Sequence, residues 1–446
     1  MNQTVHDHLN QLRDFRHQAY ISFDKRADAL FELLDAVKQM PAINSFVELS
    51  LAPAFKRQWH STYAALSDSV IDADRINRLC LWHVPKKQEL FFALDVMNVR
   101  RANSETLKER MICHGAQREA FGKGLIVGLP YSILAYCENA QSSWAMSVNT
   151  KRVEPEQKAV EIAASQIKWL IKNLDSDQEA SVALDGSYGN KEFFRLLQGQ
   201  KSFAVVRLRD DRLLYHRPRE PDGKQGRDPK YGAEFKFGKE ETYGEPAEVL
   251  EFYDEKHGKV RLEKWENLRF RIAKEVIELE VIRSQIHLEK EKPPKPRWYG
   301  IYNGTGKPTQ LKRAYQTVKH RWTIEPANRF KKDRLFAEKP QVREAASVDI
   351  WLTLLQILEW EIYLWRPLAK DERMPWQGEL NLEQLTPGRV LRSLGNNLME
   401  VGTPARESLP RGKSPGWEKG RRRNRPERYK LKLKRKKKAR EMEKIE

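Results

Sequence analysis

Between His320 and Leu335 the chain reads HRWTIEPANRFKKDRL, and Arg321, Glu325, Asn328 and Lys332 recur within it at helical spacing. On an α-helix those positions fall on one narrow stripe. An acid between two fixed cations suits a metal ligand flanked by groups that grip phosphate. Ordinary ion pairing on a solvated helix face gives the same pattern. Pro326 pushes its predecessor out of the α region, which predicts a helix starting at Pro326 with Glu325 at its cap and Arg321 off the stripe. Two further acids, Asp95 and Asp185, each end a short apolar run, FFALD and SVALD. Ligands of open α/β sheets gather at the carboxyl ends of strands. Two acids on neighbouring strand ends, joined by Glu325 from a helix on the sheet, would make a three-carboxylate cluster. Its hard oxygen donors suit Mg²⁺ or Mn²⁺, and two such ions can stabilise the attacking and leaving oxygens of an in-line phosphoryl displacement. Asp185-Gly186 is also an ordinary start for a turn.

The elements that must position these acids can be read in order. Residues 1–85 predict a helical domain suited to DNA contact or dimerisation, with DKRADALFELLDAVKQM periodic and Pro41 stopping it. From Glu89 the runs ELFFALDV, GLIVGLPYSILAYC and SSWAMSVN read as strands, followed by a helix over Glu154–Leu174, the strand SVALD, the helix KEFFRLLQ and the strand KSFAVVRLR. This order predicts an α/β sheet with helices on its faces, its first part spanning 86–209. Residues 210–300 predict a β-rich insertion, because KVRLEKWENLRFRI and EVIELEVIRSQIHL alternate as hairpin strands do. The core returns over 301–385 with a basic helix, the opening stretch and a buried tryptophan-rich helix. Residues 386–446 read as a basic tail, disordered without DNA.

The chain has 446 residues and a formal charge of +19, so a polyanionic partner is expected. From Val401 onward, eighteen Lys and Arg face six Glu, and Arg421, Arg422, Arg423 and Arg425 head the cluster expected to track DNA phosphates. Cys80, Cys113 and Cys137 form no CxxC pair, which excludes a disulfide framework and a thiolate zinc site and points to a reducing compartment. The apolar stretch Val348–Trp365 carries Asp349, Glu359 and Glu361, so it is expected inside the fold rather than in a membrane. No apolar leader follows Met1, so no secretory signal and a cytoplasmic protein are expected.

Taken together, FALDVMNVRRANSETLKERMICHG, ALDGSYGN and RWTIEPANRFKKD resemble the three acidic segments of bacterial insertion-sequence DDE transposases, of the insertion-sequence-4-like group and closest to the insertion-sequence-701 family. FVELSLAPAFKRQWHSTYAAL and VGTPARESLPRGKSPGWEKGRR resemble its N- and C-terminal segments. Arg321, Glu325 and Lys332 match the R-x3-E-x6-K part of the group's signature. Val318 stands where its tyrosine should, with Tyr315 three residues earlier. The resemblance implies an RNase H-like core interrupted by the β-rich insertion, and Asp95, Asp185 and Glu325 holding two Mg²⁺ ions, for which Mn²⁺ can substitute. It implies cutting at transposon ends, attack of the freed 3′-hydroxyl on target double-stranded DNA, Arg321 and Lys332 gripping the cut end, and a homodimer on paired ends. A nuclease of the same fold that does not join strands, or a non-catalytic DNA-binding derivative, are the competing readings.

Overall fold

The computed structural model describes residues 3–114, 124–218, 229–271, 275–409, 416, 418–422 and 425–432. The chain opens with α1 (Gln3–Tyr20), β1 (Phe23–Lys25), α2 (Ala27–Gln39), α3 (Ser61–Asp68), β2 (Val70–Ile71) and α4 (Ala73–Trp82), β1 and β2 forming a small antiparallel pair. Apolar residues at helical spacing bury Leu30, Phe31, Leu34 and Val37 of α2. The Asp72 side chain caps α4 by accepting from the Arg75 amide at 2.9 Å.

The sheet follows as β3 (Glu89–Arg100), β4 (Met111–His114), β5 (Leu125–Cys137), β6 (Ala145–Arg152), α5 (Ala159–Asn173), β7 (Glu179–Leu184), α6 (Lys191–Leu197) and β8 (Phe203–Leu208). Strand β3 pairs antiparallel with β5 and parallel with β7, β7 pairs parallel with β8, and β4 and β6 both pair with β5. Parallel neighbours need a crossover, which α5 and α6 supply. Ala180 to Leu184 of β7 are buried without alternation, as expected of a strand covered on both faces. The short strand β4 had no counterpart in the sequence reading.

Beyond β8 run β9 (Leu213–Tyr215), β10 (Glu234–Lys236), β11 (Glu248–Asp254), β12 (Gly258–Phe270), β13 (Ile277–Gln285) and β14 (Arg297–Asn303). Strand β14 pairs with β8, so these strands continue the core sheet, which has 12 strands among the described residues. Phe237 stacks on Trp298 with ring centroids 4.2 Å apart, inside an aromatic cluster that includes Phe235, Tyr243 and Trp265.

The helices α7 (Leu311–Arg321), α8 (Ile324–Asp333), α9 (Ala345–Trp365), α10 (Pro387–Asn396) and α11 (Leu398–Val401) complete the fold. Helix α9 is buried along most of its length and packs on β6 and on α1 to α4, so the N-terminal helices share one core with the sheet. Its acids find buried cations: Glu361 lies 2.8 Å from Arg16 and also meets Lys38, and both cations pair with Asp35. Among the described residues no helix is long and apolar enough to cross a membrane. The mixed α/β architecture is that of an RNase H-like fold.

Residues assigned by sequence to a disordered tail are ordered at its start, because α10 buries Val390, Leu391 and Leu394 on one amphipathic face. Farther on, Tyr429 and Lys432 donate main-chain hydrogen bonds to the carbonyls of Glu105 and Arg110, at 2.9 and 2.8 Å. A parallel bridge joins Lys432 to Met111 of β4.

Candidate active site

Strands β3 and β7 lie parallel with Leu94 opposite Leu184, so the next residues, Asp95 and Asp185, emerge side by side. Asp95 sits within β3, which runs on to Arg100, while β7 stops and Asp185 turns the chain into a short 3₁₀ segment, Gly186–Tyr188. One carboxylate oxygen of Asp185 accepts from the Gly186 amide, and one of Asp95 accepts from the Val96 amide at 2.8 Å. Gly189 closes this turn where a Cβ would lie 2.5 Å from the Arg207 carbonyl oxygen, so only glycine fits. Tyr188 is buried under the acids, and burial and the charges of Asp95 and Asp185 push its phenol up.

Helix α7 is fixed over both strands by Arg313, whose guanidinium lies 3.0 Å from Glu89 and 2.6 Å from Glu179 and donates to the Ser181 hydroxyl at 2.9 Å. Glu89 and Glu179 are register partners, so one arginine clamps the amino ends of β3 and β7 together. His320 stacks flat on Phe91 of β3 at 4.1 Å. After the two-residue turn Trp322–Thr323, α8 begins at Ile324. Sequence reasoning expected the helix to begin at Pro326. Pro326 is instead its third residue, where the backbone N–H has no intrahelical partner to lose and the fixed φ is helical. Lys331 anchors α8 from inside, reaching Glu359 at 3.1 Å and the Ser147 hydroxyl at 2.8 Å.

Glu325 therefore lies in the first turn of α8, exposed, and its carboxylate accepts from Arg321 at 2.9 Å. Burial pushes the Asp95 carboxyl up to about 6, the charges of Asp185 and Glu325 add to the rise, and the Val96 amide and Arg321 oppose it. The charges of the other two acids thus both reach Asp95. Among the described residues no three His, Cys, Asp or Glu side chains gather tightly enough to hold a metal ion. The side-by-side aspartates fit a divalent cation by donor type and by their mutual repulsion, whereas Glu325 is turned to Arg321.

The remaining predicted residues are placed separately. Asn328 is buried, and Lys332 lies 3.6 Å from Glu338, which also accepts from the Arg100 amide at the end of β3. Arg421, Arg422 and Arg425 are exposed, with Arg421 lying 3.7 Å from Glu418. Arg423 lies outside the described residues. Sequence reasoning missed Arg207 and Arg297, which line a cleft beside Asp185 with Arg321. The only sequence signal was the polar position of Arg207 in the apolar strand FAVVRL.

No curated protein matches the chain. A family model described as DDE superfamily endonuclease matches residues 18–271, which include Asp95 and Asp185 and stop before Glu325. Such endonucleases act on DNA and generally use divalent metals. The match covers more than half of the sequence, and the chain belongs to the DDE superfamily endonucleases.

Proposed function

We propose that this protein is a DNA transposase of the insertion-sequence-4-like group. It binds transposon ends, cleaves them and joins the 3′-hydroxyl ends to target double-stranded DNA. The observation that carries the reading is the pairing of Leu94 with Leu184, which sets two acids at adjoining strand positions beneath the helix that bears Glu325. Asp95, Asp185 and Glu325 would hold two Mg²⁺ ions, with Mn²⁺ as a substitute. Bound there, the ions supply an activated water or hydroxyl nucleophile and charge stabilisation of the leaving oxygen.

Arg321 pairs with Glu325 in this structure and would hold the backbone phosphate of the cut end. Its planar guanidinium can meet a phosphate with two parallel bonds, while Lys332 acts as a point charge on the cut end. Arg421, Arg422, Arg423 and Arg425 add sequence-independent contacts to the backbone. The protein works as a homodimer on paired ends, in the bacterial cytoplasm.

Incubating the full chain with Mg²⁺ and a labelled terminal-repeat duplex plus a plasmid target tests this. The transposase reading predicts joined products. Cleavage without joining would assign the protein as a nuclease of the same fold, and neither product would leave a DNA-binding derivative.

A further inference from the structure

A cleft opens beside Asp185 between the sheet and α7, walled by Leu184, Arg207, Arg297, Tyr299, Arg321 and Trp322. Arg207 of β8 is the register partner of Tyr299 on β14, and Arg297 stands two residues before Tyr299 on the same strand face. The sheet extension and the core sheet thus each contribute a guanidinium to one wall, and α7 contributes the third from the other side. The three arginines and Tyr299 line this one cleft, and burial pushes the Tyr299 phenol up while the charges of Arg297, Arg207 and Arg321 pull against it.

Several other arginines that line the interior are neutralised, Arg16 by Asp35, Arg152 by Asp349, Arg313 by Glu179 and Arg389 by Asp371, while the buried Arg101 and Arg110 donate to main-chain carbonyls. Arg207 and Arg297 are exposed, and among the described residues no carboxylate ion-pairs with either. Arg321 alone has an acid, Glu325. Three guanidiniums converging with one carboxylate among them leave strong positive charge at a concave site whose mouth carries the exposed Trp322. Planar forks of this kind match phosphate oxygens.

We propose that Arg207, Arg297 and Arg321 form a phosphodiester-binding cleft that holds the DNA strand on its way into Asp95 and Asp185. The cleft fixes the backbone next to the bond to be cut, so the sheet extension is part of the substrate track. This rests on the DNA-cleaving reading above.

The test is binding of a short fluorescent duplex to the full chain without metal, by anisotropy across a salt series. Wild-type, Arg207→Gln/Arg297→Gln and Arg207→Lys/Arg297→Lys proteins are compared, each checked for native circular dichroism. Each lost phosphate contact flattens the log–log slope by roughly 0.9, so the Gln pair should be shallower by about 1.8 and the Lys pair should recover most of that. Inorganic phosphate should displace duplex from wild type no better than chloride at equal ionic strength. An unchanged slope in the Gln pair overturns the cleft. Displacement by low inorganic phosphate with an unchanged slope overturns it too, and assigns a free-anion site. Wild-type cleavage is measured in parallel. A wild type that fails to cut while the Gln pair loses slope would sink the cleavage reading and leave the cleft standing, and a cutting wild type with an unaffected Gln pair would sink the cleft alone.

Discussion

Arg321 and Glu325 meet at 2.9 Å across the turn between α7 and α8, so the acid expected to complete the site is held by a cation that also acts on Asp95. A carboxyl binds a cation only when deprotonated. With Asp95 pushed up to about 6, divalent binding should rise through that pH in the wild type. Arg321→Gln removes a charge that holds Asp95 down, so its midpoint should move higher. Thermal shift induced by Mn²⁺, followed across pH, reads this directly. Coincident midpoints would contradict the electrostatic coupling.

Glu325 is exposed and makes no packing contribution that its amide could not keep. Glu325→Gln should therefore leave stability within about 0.5 kcal/mol, as surface changes usually do. Its cleavage rate should fall by more than the roughly 10–100-fold that loss of an outer-shell partner costs a metal site. A melting curve and a cleavage time course separate the two, and near-wild-type cleavage would remove Glu325 from the site.

Much of this was legible in the sequence, for local reasons. Apolar runs ending in an acid marked β3 and β7, because fully covered strands need continuous hydrophobic residues. What could not be read was non-local. Nothing in KSFAVVRLR or RWYGIYN announces that β8 and β14 pair, so where the β-rich stretch joins the sheet could not be read. The pairing of Leu94 with Leu184, which brings Asp95 beside Asp185, is likewise a contact between residues far apart in the chain. Helix α10 was lost in the tail because Pro387 and Gly388 open it and its apolar face is only Val390, Leu391 and Leu394. Pro326 misled because proline's bias against a helical predecessor is a preference, and Glu325 is helical all the same in the first turn of α8.

The buried quartet of Arg16, Asp35, Lys38 and Glu361 joins the N-terminal helices to α9. Glu361→Gln leaves two buried cations on one acid, and should destabilise by about 3–5 kcal/mol in urea unfolding. Burial raises the Asp35 pKa, yet Arg16 and Lys38 outweigh it, so folded Asp35 titrates below its unfolded value. That stabilisation is complete above about pH 3.9 and is lost as pH falls through the folded value. A loss under about 1 kcal/mol on Glu361→Gln would show that the quartet does not anchor the helices.

Deleting residues 421–440 removes the densest run of positive charge. Duplex binding should then weaken and its log–log salt slope should flatten, since fewer counterions are released. An identical slope would exclude the segment from DNA contact.

The central claim is that Asp185, beside Asp95 at the end of β7, belongs to the cutting site. Metal-dependent cleavage of terminal-repeat duplex by the purified Asp185→Asn protein tests it most directly. The account predicts that cleavage is abolished while duplex affinity stays within about twofold, because the change removes one charge and keeps the side-chain volume. Cutting at the wild-type rate would contradict it.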